Sequence, residues 1–305
     1  MVRPSRRAWS RLALLVALLA LAWLASGIAV AWKLTRRAGP RAHEAAPAIG
    51  WGALRELRLT TSDREELGAW WIEAPEPRAT ALLLHGNAST RAECLSTARV
   101  LLEERVSCLL LTLRAHGDST GDVNDVGWSA RADVLAGVRE IERVHPGLPV
   151  LVRGFSLGAA AAVFAAGELG LRVRGWLLEM CYADLDTAVR NRTRLFLPPP
   201  LDALAARAVQ LGGRIVLPHA GEIAPAACIG AIPAAVPVLL LSGGRDPRVD
   251  DFESNALLAA AGPHARLVRF DDAAHEVLAS THAEAYARLV RDWLAQCLGG
   301  ETQPR

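Results

Sequence analysis

The chain has 305 residues, of which 51% are apolar, and a formal net charge of +2. This length and composition allow one large buried core, and a single α/β domain commonly has this size. The charge does not indicate nucleic-acid binding, because residues 1–41 hold eight basic and no acidic side chains, whereas the remainder holds 26 basic and 32 acidic ones. The five cysteines lack the spacing of a metal site, and we expect neither a metal nor an organic cofactor.

Residues 1–37 are predicted to form a membrane anchor with basic flanks. Residues 12–32 are an uncharged run of 21 residues, which as a helix can cross a bilayer core of about 30 Å. A cleaved secretory signal is the alternative, since Ala29-Val30-Ala31 resembles a cleavage site, but the apolar core of such signals is normally only about 7 to 15 residues long. We predict a retained single-pass anchor in a bacterial inner membrane, with the remaining domain outside the cytoplasm.

Residues 38–52, rich in Ala, Pro and Gly, are predicted to be a linker, followed by one α/β domain over 53–299 and a tail over 300–305. The domain begins with an antiparallel hairpin of strands 54–60 and 67–73. Strands and helices then alternate, which indicates a mostly parallel central sheet with helices on both faces. The predicted strands are 81–84, 106–113, 150–152, 173–180, 236–241 and 265–270. The predicted helices are 90–104, 128–144, 157–168 and 281–297.

The alternation stops between residues 182 and 236. This segment contains Pro198-Pro199-Pro200, Gly212-Gly213 and several short helical patterns. We predict an irregular cap inserted over the C-terminal edge of the sheet, where open α/β sheets bind ligands. A hydrophobic pocket under the cap is suggested by four apolar residues, Leu195, Phe196, Leu197 and Leu201.

The sequence Gly154-Phe155-Ser156-Leu157-Gly158 follows a short apolar strand and precedes an alanine-rich helix. This pattern is typical of a nucleophile elbow, in which a sharp turn exposes the serine hydroxyl and the glycines let helix and strand pass closely. A glycine-rich turn with an incidental serine is the alternative. Strand, turn and helix are all present, so we predict that Ser156 is a nucleophile.

A serine nucleophile requires a general base that is oriented by a carboxylate, and on such a fold they follow in the order Ser, Asp or Glu, His. Asp246 follows the strand 236–241 in the turn Gly243-Gly244-Arg245-Asp246, and it is the predicted acid. Asp184 and Asp186, after the preceding strand, are the alternative. Asp250 and Asp251 are expected at the start of the next helix instead.

His275 lies on the loop after the last strand, 265–270, and is therefore the predicted base. His264 precedes that strand and His282 begins the last helix, so neither occupies an equivalent position. The remaining requirement is a pair of backbone N–H donors for the oxyanion. We predict the amide of Leu157, after the nucleophile, and the amide of Asn87, in the turn His85-Gly86-Asn87 after strand 81–84.

With these motifs, the chain resembles α/β-hydrolase-fold serine hydrolases, close to the membrane-anchored α/β-hydrolase domain-containing and Bem46-like group, over residues 54–298. The motifs that carry the resemblance are HGN at 85–87, RAHGDSTGD at 114–122, GFSLG at 154–158, GGRD at 243–246 and AAHE at 273–276. Members of the group often have R-G-x-G-x-S in the second motif, where this chain has Ala115 and His116. We interpret Arg114 as a loop anchor, and His85, Gly86 and His116 as pocket residues. The cap has no match to the group.

The resulting hypothesis is a membrane-anchored serine hydrolase that cleaves a carboxylic ester or thioester of a small or lipid-like acyl substrate through an acyl-enzyme. A serine aminopeptidase or amidase of the same fold is an alternative. A noncatalytic scaffold that binds a lipid or a partner protein is another. Transfer of the acyl group to an alcohol instead of water is a third.

Overall fold

The structure is a computed structural model that describes residues 6–299. The predicted tail 300–305 and the first five residues of the predicted anchor lie outside the described residues. Eight strands form one sheet in the order β1-β2-β4-β3-β5-β6-β7-β8. The strands are β1 (Leu54–Thr60), β2 (Glu66–Ile72), β3 (Ala79–Leu84), β4 (Val106–Leu111), β5 (Val150–Phe155), β6 (Val173–Glu179), β7 (Val238–Gly243) and β8 (Ala265–Phe270).

The sheet is mostly parallel, as predicted. Among the strands of residues 6–299, only β1 with β2 and β2 with β4 pair antiparallel, so the predicted entry hairpin is present at one edge. The strands from β3 to β7 have every or nearly every residue buried, because helices cover both faces of the sheet. Because these strands are parallel, their carboxyl ends lie along one edge of the sheet, and the loops that follow them lie together there.

Within residues 6–299 the α-helices occupy both faces of the sheet, the cap and the N-terminus. They are α1 (Arg6–Leu34), α2 (Leu95–Glu103), α3 (Arg131–Val144), α4 (Leu157–Leu169), α5 (Leu185–Arg194), α6 (Leu201–Val216), α7 (Pro225–Cys228), α8 (Asp251–Ala261), α9 (Leu278–Thr281) and α10 (Ala283–Leu298). One core cluster lies between the sheet and α3, α4 and α8, and the other between the sheet and α2, α9 and α10.

The cap is more regular than predicted. It consists of α5, α6 and α7 between β6 and β7, and Gly212-Gly213 lies inside the 16-residue helix α6. Glycine lowers helix propensity by about 1 kcal/mol relative to alanine, which is why the pair suggested a break. Contacts with α1 explain the exception, because α6 packs along the second half of the N-terminal helix.

The segment predicted as a linker has no helix or strand, yet it is attached to the domain through Glu44. The carboxylate of Glu44 accepts a hydrogen bond from the Thr112 hydroxyl (3.0 Å) and one from Thr90, and it pairs with the buried Arg91 guanidinium (3.0 Å). Ile49 and Trp51 pack against the second core cluster. The connection between α1 and the sheet is therefore anchored along its length.

Candidate active site

The elbow geometry centres on Ser156, which lies between the end of β5 and the start of α4. Its φ of 51° and ψ of −108° are strained for a residue with a side chain. A Cβ at Gly154 would lie 2.5 Å from the Ala159 nitrogen, and one at Gly158 would lie 2.7 Å from the His85 carbonyl oxygen. Both glycines are thus required for the close approach of α4 to β3 and β5, and the turn holds the serine hydroxyl beyond the sheet edge.

The three residues predicted as a triad lie within hydrogen-bonding distance. His275 Nε2 is 2.9 Å from Ser156 Oγ, and His275 Nδ1 is 2.7 Å from Asp246 Oδ2. Asp246 Oδ1 accepts the backbone N–H groups of Arg248 (2.7 Å) and Val249 (3.1 Å), which fixes the carboxylate. The Asp246 side chain is fully buried and that of His275 is 6% exposed, so little water competes for these bonds.

The alternative acids have other roles in the structure. Asp184 and Asp250 cap the N-termini of α5 and α8, and Asp250 forms a capping box with Glu253. Asp186 pairs with Arg214, and Asp251 pairs with Arg269. Of the other histidines considered, His282 contacts Asp272 and Glu276 rather than Asp246.

The two predicted oxyanion donors border the same cavity as Ser156. Leu157 is the first residue of α4, where a helix leaves its N–H groups without intrahelical acceptors and adds the positive end of its dipole. Asn87 lies on the loop after β3. Its side-chain Oδ1 accepts a hydrogen bond from Asn124 Nδ2 (2.7 Å) and lies 3.4 Å from His116 Nε2, which holds the loop in place.

The residues predicted to line a pocket instead support the loop from behind. His85 is fully buried, its Nδ1 donates to the Gly86 carbonyl (2.7 Å), and its Nε2 accepts the Leu113 N–H (3.0 Å). Burial lowers the pKa of His85 to about 3, so the ring is neutral. Gly86 donates its N–H to Glu93 (2.6 Å), and a Cβ there would lie 2.8 Å from the Phe155 ring.

His116 is also a support rather than a cavity wall. Its ring packs edge-on against His85 with centroids 5.1 Å apart, and its Nδ1 lies 2.8 Å from the Arg114 carbonyl. Burial lowers the pKa of His116. Arg114 is the loop anchor that the sequence indicates, because it donates to Asp133 from its backbone and its Nε (both 2.8 Å) and reaches Asp63 (2.6 Å).

The cavity above Ser156 has a volume of about 120 Å³ and a largely apolar lining. Beside the site residues and the loop residues Asn124 and Val126, it is bordered by two groups that the sequence did not indicate. One comes from the end of α1 and the residue that follows it, namely Ala31, Leu34 and Thr35. The other comes from the start of the cap and its helices, namely Tyr182, Leu185, Ala188, Val189, Arg192 and Val209.

Arg192 is the single charged side chain along this lining, and it is half-buried. Its NH1 donates to the Ala188 carbonyl (3.1 Å). Within residues 6–299, the Arg192 guanidinium forms no ion pair with a carboxylate, unlike Arg194 and Arg214. Burial lowers the pKa of Arg192, and the positive charge of the neighbouring Arg248 lowers it further. The basic residues within 190–194 indicate a charged segment of the cap. They do not indicate which of these side chains faces the site.

A buried polar network that the sequence alone does not predict lies directly under the elbow. Arg153 and Glu179, on neighbouring strands, form a fully buried bidentate pair (2.7 and 2.8 Å), and Tyr286 donates its hydroxyl to Glu179 (2.6 Å). The Glu179 carbonyl accepts the Ser156 N–H (2.8 Å). The network therefore holds the strand that fixes the elbow. In the sequence, the network is indicated only by Arg153 and Glu179, which lie inside largely apolar strands.

No protein-family model matches the chain. Among curated proteins, it is 23% identical to Bem46 of Schizosaccharomyces pombe over 249 residues, which cover 79% of this chain and 76% of that protein. It is 30% identical to human monoglyceride lipase over 102 residues, which cover 32% of this chain and 33% of the lipase. Among solved structures, an esterase of Pyrococcus furiosus matches with a TM-score of 0.71 at 24% identity, covering 85% of this chain and 97% of the esterase.

These relatives show that the chain has the α/β-hydrolase fold that the motifs predict, and that it resembles Bem46 over most of its length. The esterase, at 24% identity, shows the fold, and the lipase matches this chain over about a third of its length. At the N-terminus, α1 contains one stretch, Trp9–Leu34, that is long and apolar enough to span a membrane.

Proposed function

We propose that the chain is a membrane-anchored serine hydrolase that cleaves a carboxylic ester or thioester. The observation that carries this proposal is the continuous hydrogen-bond chain from Ser156 Oγ through His275 to Asp246, with distances of 2.9 and 2.7 Å. The strained backbone of Ser156 supports it as well, because such strain is found at residues that are held for catalysis. A noncatalytic scaffold would require neither this hydrogen-bond chain nor a strained serine.

In the proposed reaction, His275 Nε2 removes the proton of Ser156 as Oγ attacks the carbonyl carbon of the ester. Asp246 holds the tautomer with the proton on Nδ1 and stabilises the imidazolium that forms. The carbonyl π electrons move to the oxygen, and the Leu157 and Asn87 amides bind the oxyanion, each such donor being worth about 3 kcal/mol. The carbon–oxygen bond to the alcohol then breaks, and His275 returns the proton to the leaving alcohol.

The second half of the reaction uses water in place of the alcohol. His275 deprotonates the water as it attacks the acyl carbon, and the same amides bind the second oxyanion. Its collapse breaks the bond to Ser156, which regains its proton from His275. The products are a carboxylic acid and an alcohol. The residues that carry these steps need no metal ion.

Labelling with a fluorophosphonate tests the nucleophile, because the reagent phosphonylates only an activated serine. We expect labelling of the full-length chain in detergent and none of Ser156→Ala. The matched control is Ser89→Ala, a partly exposed serine on the loop that carries Asn87, and it should label like the wild type. If the wild type fails to label, or if Ser156→Ala labels equally, the proposal is wrong and the scaffold hypothesis replaces it.

The leaving group is tested with matched p-nitrophenyl esters and p-nitroanilides of the same acyl group. We expect ester hydrolysis to exceed amide hydrolysis by at least about 100-fold in kcat/KM, since p-nitrophenolate is a better leaving group than p-nitroaniline and no additional specificity domain is evident in residues 6–299. Comparable rates would instead favour the aminopeptidase or amidase alternative.

For localisation we propose a single pass through a bacterial inner membrane, with the domain outside the cytoplasm. A cysteine introduced at the exposed Ser280 reports the orientation. A membrane-impermeant maleimide should label Ser280→Cys in intact spheroplasts, and the wild-type chain serves as the background control. Labelling only after lysis would place the domain on the cytoplasmic side.

A further inference from the structure

The cavity above Ser156 is closed in part by the membrane anchor itself. Ala31 is 3% exposed and lines the cavity together with Leu34 and the buried Thr35. Opposite them, the cap contributes residues of α5 and α6. A helix whose only role was to tether the domain would have no reason to contribute a wall to the catalytic cavity.

Close helix packing fixes the anchor in this position. A Cβ at Gly27 would lie 2.1 Å from the Ala208 carbonyl oxygen, and one at Gly212 would lie 2.5 Å from the backbone of Gly27. The backbones of α1 and α6 therefore touch, as they do where small residues mediate helix contacts in membranes. Trp23 adds a hydrogen bond from its Nε1 to the Leu204 carbonyl (3.1 Å).

The residues just after α1 are joined to the side of the site that holds the oxyanion loop. The Thr35 carbonyl accepts the Asn124 N–H (2.9 Å), and the Arg37 N–H donates to the Asp122 carbonyl (3.0 Å). The side chain of Asn124 in turn donates to Asn87 (2.7 Å). The anchor is thus connected by consecutive hydrogen bonds to the residue proposed as an oxyanion donor.

The position of this wall along the anchor corresponds to one depth in a bilayer. The uncharged run of residues 12–32 is about 31 Å long as a helix, which matches a hydrocarbon core of about 30 Å. Ala31, Leu34 and Thr35 then lie where the hydrocarbon ends and the polar layer begins. The ester groups of glycerolipids lie at this boundary, because they join the acyl chains to the polar headgroup.

The cap exposes apolar side chains on α6, the helix that packs on the anchor, and on the residues just before it. Their exposure ranges from 37% for Leu197 to 82% for Phe196. The set consists of Leu195, Phe196, Leu197, Leu201, Leu204, Leu211 and Ile215. Four of these belong to α6, the helix that packs on α1, so this apolar surface continues from that of the membrane-spanning helix. This apolar surface fits the lipid that surrounds α1 in the bilayer.

From these observations, and resting on the proposed function, we infer that the substrate is an acyl ester of a membrane lipid, which reaches Ser156 from the bilayer beside α1. The cavity of about 120 Å³ is small, so it accommodates the ester and only the first carbons of the acyl chain. The rest of the acyl chain lies between the end of α1 and α5, away from the tight contact of α1 with α6, and Ala31 and Leu34 on the anchor are specificity-determining residues for it.

The test uses the full chain reconstituted into phosphatidylcholine vesicles, with p-nitrophenyl acetate and p-nitrophenyl oleate as probes. Ala31→Leu extends a side chain into the cavity wall, and we expect it to lower the ratio of oleate to acetate kcat/KM at least tenfold. The matched control is Ala29→Leu, the same substitution on an exposed position two residues away, and it should leave the ratio unchanged. Wild type should prefer oleate.

A second variant guards against a packing defect in Ala31→Leu. Leu34→Trp changes a cavity residue that is 62% exposed, so it should fold normally and still lower the ratio. The inference is wrong if both variants keep the wild-type ratio while labelling normally with fluorophosphonate, or if the wild type prefers acetate. Failure of the proposed function is distinct, because the wild type would then neither label nor hydrolyse either ester.

Discussion

The floor of the catalytic cavity and its roof are built in different ways. The floor consists of the loops after β3, β5, β7 and β8, which carry Asn87, Ser156, Asp246 and His275. Every residue of β3, β5 and β7 is buried, whereas β8 is the partly exposed edge strand. The roof consists of the end of α1 with α5 and α6, which meet through small residues and leave apolar side chains exposed. We conclude that the proposed chemistry depends on backbone geometry, whereas selection of the acyl chain depends on how three helices pack.

The largest effect is expected in the floor, from Asp246→Asn. The amide cannot hold His275 in the tautomer with Nδ1 protonated, and we expect kcat for a soluble ester to fall about 10⁴-fold. The matched control is Asp251→Asn, a half-exposed residue on α8 that should retain wild-type activity. A loss of less than tenfold in Asp246→Asn would show that another carboxylate orients the histidine.

The elbow can be disrupted sterically, without removing any of the proposed catalytic groups. A Cβ at Gly158 would lie 2.7 Å from the backbone of β3, which cannot move without disturbing the sheet. We expect Gly158→Ala to destabilise the protein by about 3 kcal/mol, the upper end for overpacking, and to lower the thermal midpoint in detergent. Gly167→Ala, on the same helix with its nearest neighbour 3.6 Å away, should be neutral or stabilising.

The roof should be separable from the floor by changing one of two adjacent glycines. We expect Gly212→Ala to push α6 off α1 at a local cost of about 1–3 kcal/mol and to impair hydrolysis of p-nitrophenyl oleate, while fluorophosphonate labelling of Ser156 continues. Gly213→Ala is the control, because nothing lies within 4 Å of its Cβ position. Equal loss of labelling and oleate hydrolysis in Gly212→Ala would mean that floor and roof form one unit.

Floor and roof should also respond to pH in opposite directions. Burial lowers the pKa of His85 from 6.5 to about 3 in the folded state. As the pH falls from 6.5 to 3, the unfolded chain therefore takes up the proton before the folded one does. The free energy of unfolding decreases over this interval. The slope below pH 6.5 should be about 1.4 kcal/mol per pH unit for this one group. His85→Gln should flatten the dependence of the thermal midpoint on pH between 4.5 and 6.5; parallel curves would contradict this.

Under the roof, buried Glu253 accepts hydrogen bonds from the Ala183 N–H (3.1 Å) and from Asn191 Nδ2 (2.8 Å), which ties the cap to α8. Burial raises its pKa to about 7 from 4.5. The unfolded chain releases its proton first, so stability falls as the pH rises from 4.5 to 7. Glu253→Gln should remove this fall in the thermal midpoint. An unchanged fall would assign it to other groups.

The floor could be predicted from the sequence because its signals are local. Apolar runs gave the strands, the glycines flanking Ser156 gave the elbow, and chain order selected Asp246 and His275. Where the signal was weaker, the prediction was less accurate. The turn with His85 and Gly86 was located, but histidine suits both a wet pocket and a buried support, and only the contacts of both ring nitrogens distinguish the two.

The roof could not be predicted, because its signals lie far apart in the chain. Residues 12–32 are uniformly apolar, so nothing in the run distinguishes a lipid-facing side from a side that packs on protein. Gly27 and the pair Gly212-Gly213 were visible, yet a close crossing of two helices requires knowing that they meet. The contacts of Glu44, within the predicted linker, are likewise between segments distant in sequence.

The contact between the Gly27 and Gly212 backbones has a mechanical consequence. A flexible hinge would let the site sit at any height above the lipid, but this backbone contact would make the proposed anchor and the domain move as one piece. A thicker or thinner bilayer must tilt the helix or deform around it, and either response displaces the cavity from the layer of lipid esters. Turnover of a bilayer-embedded substrate should therefore vary with bilayer thickness and be greatest where the hydrocarbon core matches the 21-residue run.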